Sequence, residues 1–385
     1  MNREEIIKAL SEPNKEVLDA HNEILAIQKG DRVLPKTNIE HLDHFLIGGL
    51  NNSMVFVGAR PSQGKTYFCD QIINNLLNKD INPMNLSVLR INLEMVTKSL
   101  LLRDLKKALH KKMRDILSSP YNKEEQKTVT KVINKHRDKR LTNWSYMLDE
   151  EGFEILLREY IKKEKKEKGE DVQIICLLDH VHIYPTKTII DNILGVCNKI
   201  KMENSSVSFV IFFQLNRVLE DIWRGGKDSK PNPKNFRPNS SHIYNTDTLM
   251  QFADLILTLV IPEVVGLDEY VAVARSYYEY LDDHFVDYDD NVYVRLKGRN
   301  RIYYDYIKTR MLDDFDDPKL FCAVLDEERE KRAVGETVKV QKQEKKEEVI
   351  MPVFGKDVER PYDGIQPVTD LKLAFGEEGS DDPPF

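Results

Sequence analysis

Four short, mostly apolar runs divide the first two thirds of the chain, and each of the last three is followed by a polar residue. Strands that are buried on both faces of a parallel sheet have this pattern. The segment after the first run instead has apolar residues at helical spacing, from Phe68 to Leu77. Strand runs that alternate with helical segments predict an α/β fold with a largely parallel twisted sheet flanked by helices. The runs cover residues 54–57, 88–93, 173–178 and 207–213.

The two ends of the chain differ from this pattern. Residues 3–28 place apolar side chains on helical faces that Pro13 interrupts, which predicts an N-terminal helix. Such a helix cannot bury its apolar face alone, so it should dock on its own domain or on a neighbouring subunit. From residue 326 the chain is charged and then proline-punctuated, as in flexible segments. The sequence therefore predicts an N-terminal helix and connector at 1–34, a folded domain at 35–325 and a charged linker with a flexible acidic tail at 326–385.

The first strand run leads into a loop and then into a helix, which is the order of a P-loop. In a P-loop, backbone N–H groups and a helix N-terminus surround the phosphates of a nucleotide. The common pattern has glycine at the position of Ala59, but the backbone chemistry is kept despite that change. Lys65 would reach the β and γ phosphate oxygens, and Thr66 would bind Mg²⁺. The predicted loop consists of Ala59, Arg60, Pro61, Ser62, Gln63, Gly64, Lys65 and Thr66.

Polar residues at the ends of the other three runs are candidates for the remaining chemistry. Asp179 ends the third run, where a buried central strand would present a carboxylate to Mg²⁺. Glu94 ends the second run and would polarise the attacking water. Gln214 ends the fourth run and would sense the γ-phosphate or bound DNA. Because ligands bind at the carboxyl ends of strands in open α/β sheets, we expect these residues to form one site with Lys65.

Composition narrows the class of protein. With 385 residues, 41% of them hydrophobic and 31% charged, the chain has the composition of a globular protein. No stretch has the roughly 18 to 20 successive apolar residues of a membrane span, and the N-terminus lacks a signal pattern. We therefore expect a cytoplasmic protein with no membrane partner. The four cysteines are far apart, which predicts neither zinc nor disulfides but small buried residues. They are Cys69, Cys176, Cys197 and Cys322.

Charge is unevenly distributed along the chain. Residues 103–140 hold 13 Lys or Arg against 5 Asp or Glu, whereas residues 326–385 hold 10 against 16. The basic segment is either a solvated helical face or a surface for nucleic acid. The net charge of −7 excludes a protein that is covered in positive charge, but it allows a local nucleic-acid channel.

Five motifs make the chain resemble the DnaB-type replicative helicases and their RecA-like motor domain. They are GARPSQGKT, NLEM followed by Arg103, LLDHVHI, QLNRVLE and KGRN. The order and the separations of these motifs match the family over roughly residues 35–312. The resemblance implies a RecA-like P-loop fold, ATP or another NTP as substrate, and Mg²⁺ as cofactor.

The resemblance also implies an assembly and a mechanism. It implies a homohexameric ring that hydrolyses nucleotide at subunit interfaces, moves on single-stranded DNA in the 5′-to-3′ direction and unwinds the replication fork. Arg299 follows the last candidate strand run, residues 291–296, and resembles the arginine finger that reaches the γ-phosphate of the neighbouring subunit, with Lys297 assisting it. A finger supplied by a neighbour makes hydrolysis depend on assembly, because the charge of the transition state is neutralised only across an interface.

The DNA contacts depart from the family pattern. Family members carry a loop of the type Asp-Leu-Arg-Glu-Ser-Gly, and the matching residues 242–247 contain no arginine. Tyr244, Asn245 and Asp247 are the DNA-binding candidates in that loop, through hydrogen bonds to phosphate or stacking on a base. A solvated loop that caps the following helix is the alternative. Lys187 is a further candidate for a phosphate contact.

The two termini suggest the context of the motor. No counterpart of the family's N-terminal collar domain precedes residue 35, and residues 3–28 resemble the family's linker helix, as in a bacteriophage-encoded helicase. The acidic end with its terminal Phe385 resembles the tails of bacterial single-stranded-DNA-binding proteins and of some phage replication proteins, which dock a terminal Phe in a pocket on a partner protein. It would recruit a primase, a polymerase or another replisome protein, and a purely solubilising tail is the alternative.

Two other functions keep the same site. A recombination or repair ATPase of the RecA type would coat DNA as a filament without unwinding it. A helicase-loading module would use the nucleotide only as an assembly switch. Glu94 and Arg299 argue against the loading module, because a switch needs neither a base nor a finger.

Overall fold

The computed structural model of the protein describes residues 15–224, 238–243, 246–267, 269–273, 293–297, 300–309 and 320–324. These residues fall into two compact units, residues 15–34 and the residues from 35 onward. The first unit contains helix α1, Lys15–Gln28. The predicted N-terminal helix is therefore present from Lys15, and residues 3–14 lie outside the described residues. Val17, Leu18 and Ile24 of α1 are exposed.

The second unit is built on a sheet of eight described strands in the order β10-β9-β6-β1-β5-β4-β2-β3. The six strands from β6 to β3 are parallel, and β9 and β10 are antiparallel to their neighbours. A separate antiparallel pair consists of β7 and β8. The strands are β1 Met54–Ala59, β2 Leu86–Asn92, β3 Leu141–Trp144, β4 Gln173–Asp179, β5 Val207–Gln214, β6 Leu255–Val260, β7 Glu269–Val273, β8 Tyr293–Lys297, β9 Arg301–Thr309 and β10 Leu320–Val324.

Helices cover both faces of the parallel strands, which confirms the predicted α/β architecture. Successive residues of β1 point into two apolar layers, with Phe56 in one and Val57 in the other. Among the described residues, no helix is long and apolar enough to span a membrane. The helices of this unit are α2 Glu40–Phe45, α3 Lys65–Leu76, α4 Thr97–Leu109, α5 Met113–Ser118, α6 Lys123–His136, α7 Glu150–Lys168, α8 Lys187–Glu203, α9 Val218–Arg224 and α10 Thr246–Phe252.

The prediction that the cysteines are small buried residues is confirmed where their side chains are described, since Cys69, Cys176 and Cys197 are buried. The side chain of Cys322 lies outside the described residues.

The predicted end of the strand series was wrong. The run at 291–296, taken as the last strand, corresponds to β8, and β8 pairs with β7 rather than with the main sheet. Two further strands, β9 and β10, follow it and extend the main sheet beside β6. In strand β9 the polar residues Asp305 and Lys308 interrupt the aromatic and aliphatic residues, so it lacks the continuous apolar run that marks the central strands.

Gly58 allows strands β1 and β5 to approach closely at the end that carries the P-loop. Gly58 is paired in register with Phe213, and a Cβ atom at Gly58 would overlap the Phe213 ring. We expect Gly58→Ala to lower the free energy of unfolding by about 1 to 3 kcal/mol, because the buried ring has to shift. Urea unfolding of the isolated protein measures this effect.

A matched glycine provides the control. Gly195 lies within α8 and has open space around the position of its Cβ. Gly195→Ala should therefore raise the free energy of unfolding by about 0.5 to 1 kcal/mol through helix propensity. Equal urea midpoints for Gly58→Ala and the wild type would show that the close approach is not required.

Candidate nucleotide-binding site

The loop between β1 and α3 has the backbone shape of a phosphate cradle. Ser62 and Gly64 have positive φ values of 64° and 86°, and Gly64 is the N-cap of α3. Such alternation turns successive N–H groups toward one point, where the helix N-terminus adds its partial positive charge. A Cβ at Gly64 would make only ordinary contacts, 3.4 Å from Ile261 Cδ1 and 3.6 Å from Ile302 Cδ1, so it is the positive φ that favours glycine at this position.

Two side chains of the loop hold it in place instead of facing outward. Arg60 is buried, and its Nε donates a 2.7 Å hydrogen bond to Glu220 Oε1 while its Nη1 donates to the carbonyl oxygen of Leu215 at 2.7 Å. The Oε1 of the fully buried Gln63 accepts a hydrogen bond from the backbone N–H of Ile261. Arg60 and Gln63 therefore contribute backbone groups to the cradle, and their side chains brace the loop against α9 and the end of β6.

The first two residues of α3 lie beside this cradle. Lys65 is 9% exposed, and burial lowers the pKa of its amine, although the charges of Asp179 and Glu94 act in the opposite direction. Thr66 is half-buried, whereas Pro61 and Ser62 are exposed. The Lys65 amine thus sits in a partly dehydrated place where a polyanionic ligand would stabilise its charge.

Asp179 ends β4 and is 1% exposed. Burial raises the pKa of its carboxyl to about 6, while the nearby charge of Arg90 lowers it. Its Oδ2 accepts a long hydrogen bond of 3.4 Å from Asn92 Nδ2, and its Oδ1 is buried without a hydrogen-bond partner among the described residues. A buried carboxylate oxygen without a partner suits a divalent cation, and a hydroxyl such as that of Thr66 is an oxygen ligand that Mg²⁺ accepts.

Glu94 follows β2, which is the neighbour of β4 in the sheet. Its side chain is 54% exposed, and its Oε2 lies 3.8 Å from Nε2 of His180. Burial lowers the pKa of His180 to about 4, so the imidazole is neutral near pH 7. The pair is therefore a contact between a carboxylate and a neutral ring, and it leaves the charge of Glu94 available to a water molecule.

Gln214 ends β5, directly beside Ala59 of β1 in the sheet register. Its backbone N–H donates a 2.8 Å hydrogen bond to His182 Nδ1. Gln214 and His182 also line a cavity of about 360 Å³, together with Lys187 at the start of α8. Arg217 also lies on this cavity; it belongs to the QLNRVLE motif, but no role of its own was predicted for it from the sequence.

Five further residues were predicted for the site or for DNA binding: Asp247, Lys297, Tyr244, Asn245 and Arg299. Asp247 is an exposed residue of α10. Lys297 belongs to β8, and its side chain is outside the described part of the chain. Tyr244, Asn245 and Arg299 also lie outside the described residues.

The sheet order explains why the other predicted residues converge. Strands β1, β5, β4 and β2 are consecutive neighbours, and all four are parallel. Their carboxyl ends therefore present the P-loop, Gln214, Asp179 and Glu94 along one edge.

Sequence reasoning missed two charged residues behind Asp179. Arg90 lies in the middle of β2 and Asp70 in α3, and both are buried. A charged residue inside an apolar strand run was the available signal at Arg90. Asp70 carried no such signal, because α3 is amphipathic.

A family model and similar known proteins point to the same protein family. Residues 35–276 match the model of the DnaB-like helicase C-terminal domain. The chain is 27% identical over 257 residues to the replicative DNA helicase DnaB of Helicobacter pylori strain 26695, covering 64% of this chain and 48% of that protein. The DnaB of strain J99 is 26% identical over 257 residues, with the same coverage. The chain thus spans about half the length of these relatives.

Solved structures agree in fold. A solved ATPase domain aligns with a TM-score of 0.56 at 18% identity, covering 81% of this chain and 94% of that one. A DnaB-like replicative helicase, solved in a study of its interactions with primase, aligns with a TM-score of 0.53 at 16% identity, covering 81% of this chain and 64% of that one. These alignments, with the parallel sheet described above, identify the fold as RecA-like.

Proposed function

The chain belongs to the family of DnaB-like helicase C-terminal domains, and from this premise we propose that it is the motor of an ATP-dependent replicative DNA helicase. In this proposal the protein assembles as a homohexameric ring, moves along single-stranded DNA and unwinds the duplex at the fork. The proposed division is a helix and connector at 1–34, the motor at 35–325, and a charged tail at 326–385 that recruits a replisome protein such as primase.

One observation carries the proposal. A phosphate cradle, a buried lysine and a buried carboxylate oxygen without a partner among the described residues lie at the carboxyl ends of neighbouring strands. This combination fits a nucleoside triphosphate together with a divalent cation better than it fits an uncharged ligand.

Each residue has a distinct proposed task in hydrolysis. The backbone of the loop binds the phosphates, and Lys65 neutralises the β and γ oxygens. Thr66 and Asp179 would hold Mg²⁺, which neutralises phosphate charge when bound. Glu94 orients the attacking water and accepts its proton. Gln214 is placed beside the P-loop in the sheet register and would respond to the γ-phosphate.

The DNA face is proposed on the other side of Gln214. The cavity that Gln214 shares with Lys187 and Arg217 offers two cations for a DNA phosphate. Tyr244, Asn245 and Asp247 remain proposed contacts from the following segment. His182 joins this cavity to the nucleotide site, because it accepts the backbone hydrogen bond of Gln214.

Strand displacement on a synthetic fork with a 5′ single-stranded tail tests the proposal. With ATP, the wild type should displace the strand. Glu94→Gln should still bind ATP but hydrolyse it about a hundredfold more slowly and displace no strand, because the general base is lost and the phosphate contacts remain. Binding of a fluorescent ATP analogue and release of phosphate measure the two properties separately.

Other outcomes lead to different conclusions. Loss of ATP binding in Glu94→Gln would contradict its assignment as the base. A wild type that hydrolyses ATP on single-stranded DNA, forms filaments and displaces no strand would be a recombination-type ATPase. Exposed Glu159 on α7 is a matched control, and Glu159→Gln should unwind like the wild type.

A further inference from the structure

Behind Asp179 lies a buried arginine that no nucleotide contact explains. Arg90 is 3% exposed and belongs to β2, two residues before Asn92, which pairs with Asp179 in the sheet register. An arginine in the interior of a sheet is costly unless its charge is compensated. The charged groups that surround Arg90 therefore indicate its role.

Two carboxylates share this guanidinium. Arg90 Nη1 lies 3.0 Å from Asp70 Oδ1, and Arg90 Nη2 lies 4.0 Å from Asp179 Oδ2. The other oxygen of Asp70 is held by Arg103 Nη2 at 2.7 Å. These contacts of Arg90 are ionic rather than hydrogen-bonded, because Arg90 Nη2 and Asp70 Oδ1 have no hydrogen-bond partner among the described residues. Asp70 thus lies between two arginines, and Arg90 Nη2 faces Asp179.

The result is an asymmetric Asp179 carboxylate. Its Oδ2 faces Asn92 and Arg90, whereas Oδ1 is buried without a hydrogen-bond partner among the described residues. A carboxylate with one oxygen facing an amide and a guanidinium of the protein presents its other oxygen to a cation. Side chains that contact a metal ligand from behind commonly contribute about 10- to 100-fold to the affinity for the metal.

We propose that Arg90, held by Asp70, is a positioning residue that orients the Asp179 carboxylate for Mg²⁺ in the Mg²⁺–nucleotide complex. The inference rests on the proposed function, because it assigns the metal ligand to Asp179. Arg90 in β2 and Asp70 in the second turn of α3 would thus contribute to Mg²⁺ binding, although neither lies in the phosphate loop.

The test compares the single variant Arg90→Met with the double variant that also carries Asp70→Met. The measured quantity is the ratio of the dissociation constants of mant-ATP without and with Mg²⁺, which does not require hydrolysis. The single variant leaves Asp70 near Asp179 without the arginine between them. Its melting temperature should fall, and so should the Mg²⁺-dependent gain in mant-ATP affinity, which this ratio measures. In the double variant both buried charges are gone, and the partly exposed Arg103 keeps Asp104 at 3.4 Å, so the melting temperature should recover.

A positioning role and a purely structural role give opposite results in the double variant. We expect its melting temperature to return close to that of the wild type while its Mg²⁺-dependent gain in mant-ATP affinity stays about tenfold lower. Recovery of that gain to the wild-type value would overturn the proposal, because Arg90 would then only neutralise Asp70. Unchanged gain in the single variant would also overturn it.

A second buried ion pair serves as a matched control. Lys201 Nζ lies 2.5 Å from Asp254 Oδ2, with both residues buried and Lys201 on α8. Lys201→Met should lower the melting temperature without changing the Mg²⁺-dependent gain; an equal loss of that gain would overturn the proposal, since any buried charge would then have the same effect. If the wild type binds no mant-ATP under either condition, the proposed function itself is wrong and this inference is wrong with it.

Discussion

Lys65→Ala is expected to reduce ATP hydrolysis by about a thousandfold and to abolish strand displacement, because the variant lacks the cation that neutralises the β and γ phosphates. Lys65 is the buried first residue of α3, and its charge lies within range of Asp179 and Glu94. Replacing it removes a cation that interacts with both carboxylates and would bind the phosphates, so the affinity for nucleotide should fall as well. Phosphate release and mant-ATP binding measure the two effects.

The matched control for this variant is an exposed lysine near the end of the same helix. Lys79 follows α3 and is exposed, so Lys79→Ala should hydrolyse ATP at the wild-type rate. Circular dichroism should give the same helix content for both variants. A Lys65→Ala protein that keeps about a tenth or more of the wild-type ATPase activity would contradict the assignment of Lys65 to the phosphate loop.

Arg299→Ala is expected to have the second large effect, a loss of ATP hydrolysis. Part of this activity should return when Arg299→Ala subunits assemble with subunits that carry another inactivating substitution, Lys65→Ala. The proposed finger acts on the nucleotide of the neighbouring subunit, so removing it should slow hydrolysis on the order of a thousandfold. Subunits with Lys65→Ala still carry Arg299, and subunits with Arg299→Ala still carry Lys65. In an equal mixture, about one interface in four combines an intact phosphate loop with an intact finger.

Mixing therefore distinguishes a finger in trans from a residue that acts within its own subunit. Each variant alone should be inactive in phosphate release, and the mixture should regain about a quarter of the wild-type rate. No recovery after co-assembly, checked by mass photometry, would show that Arg299 does not act across an interface. Arg114→Ala, at an exposed position of α5, is the control and should hydrolyse ATP like the wild type.

Particular elements show why local pattern and tertiary position were not equally predictable. The phosphate loop was predictable because its chemistry depends on consecutive residues, from the apolar strand β1 to the first turn of α3. Strand β9 was missed because the polar residues Asp305 and Lys308 interrupt its apolar positions, so it resembles a surface segment when its neighbour is unknown. Arg90 and Asp70 lie 20 positions apart, and only the packing of α3 on β2 brings them together.

By itself, the sequence determined the α/β class, the phosphate loop, the strand-end residues Asp179, Glu94 and Gln214, and the resemblance to a helicase family. These features depend on residues that are adjacent or at helical or strand spacing, so local periodicity carries them. The tertiary structure alone decided the order of the strands and the convergence of their ends. It also decided the inward direction of the Arg60 side chain and the contact of Arg90 with two carboxylates. Contacts between residues distant in sequence depend on which elements pack together, and the burial of the whole core sets that packing.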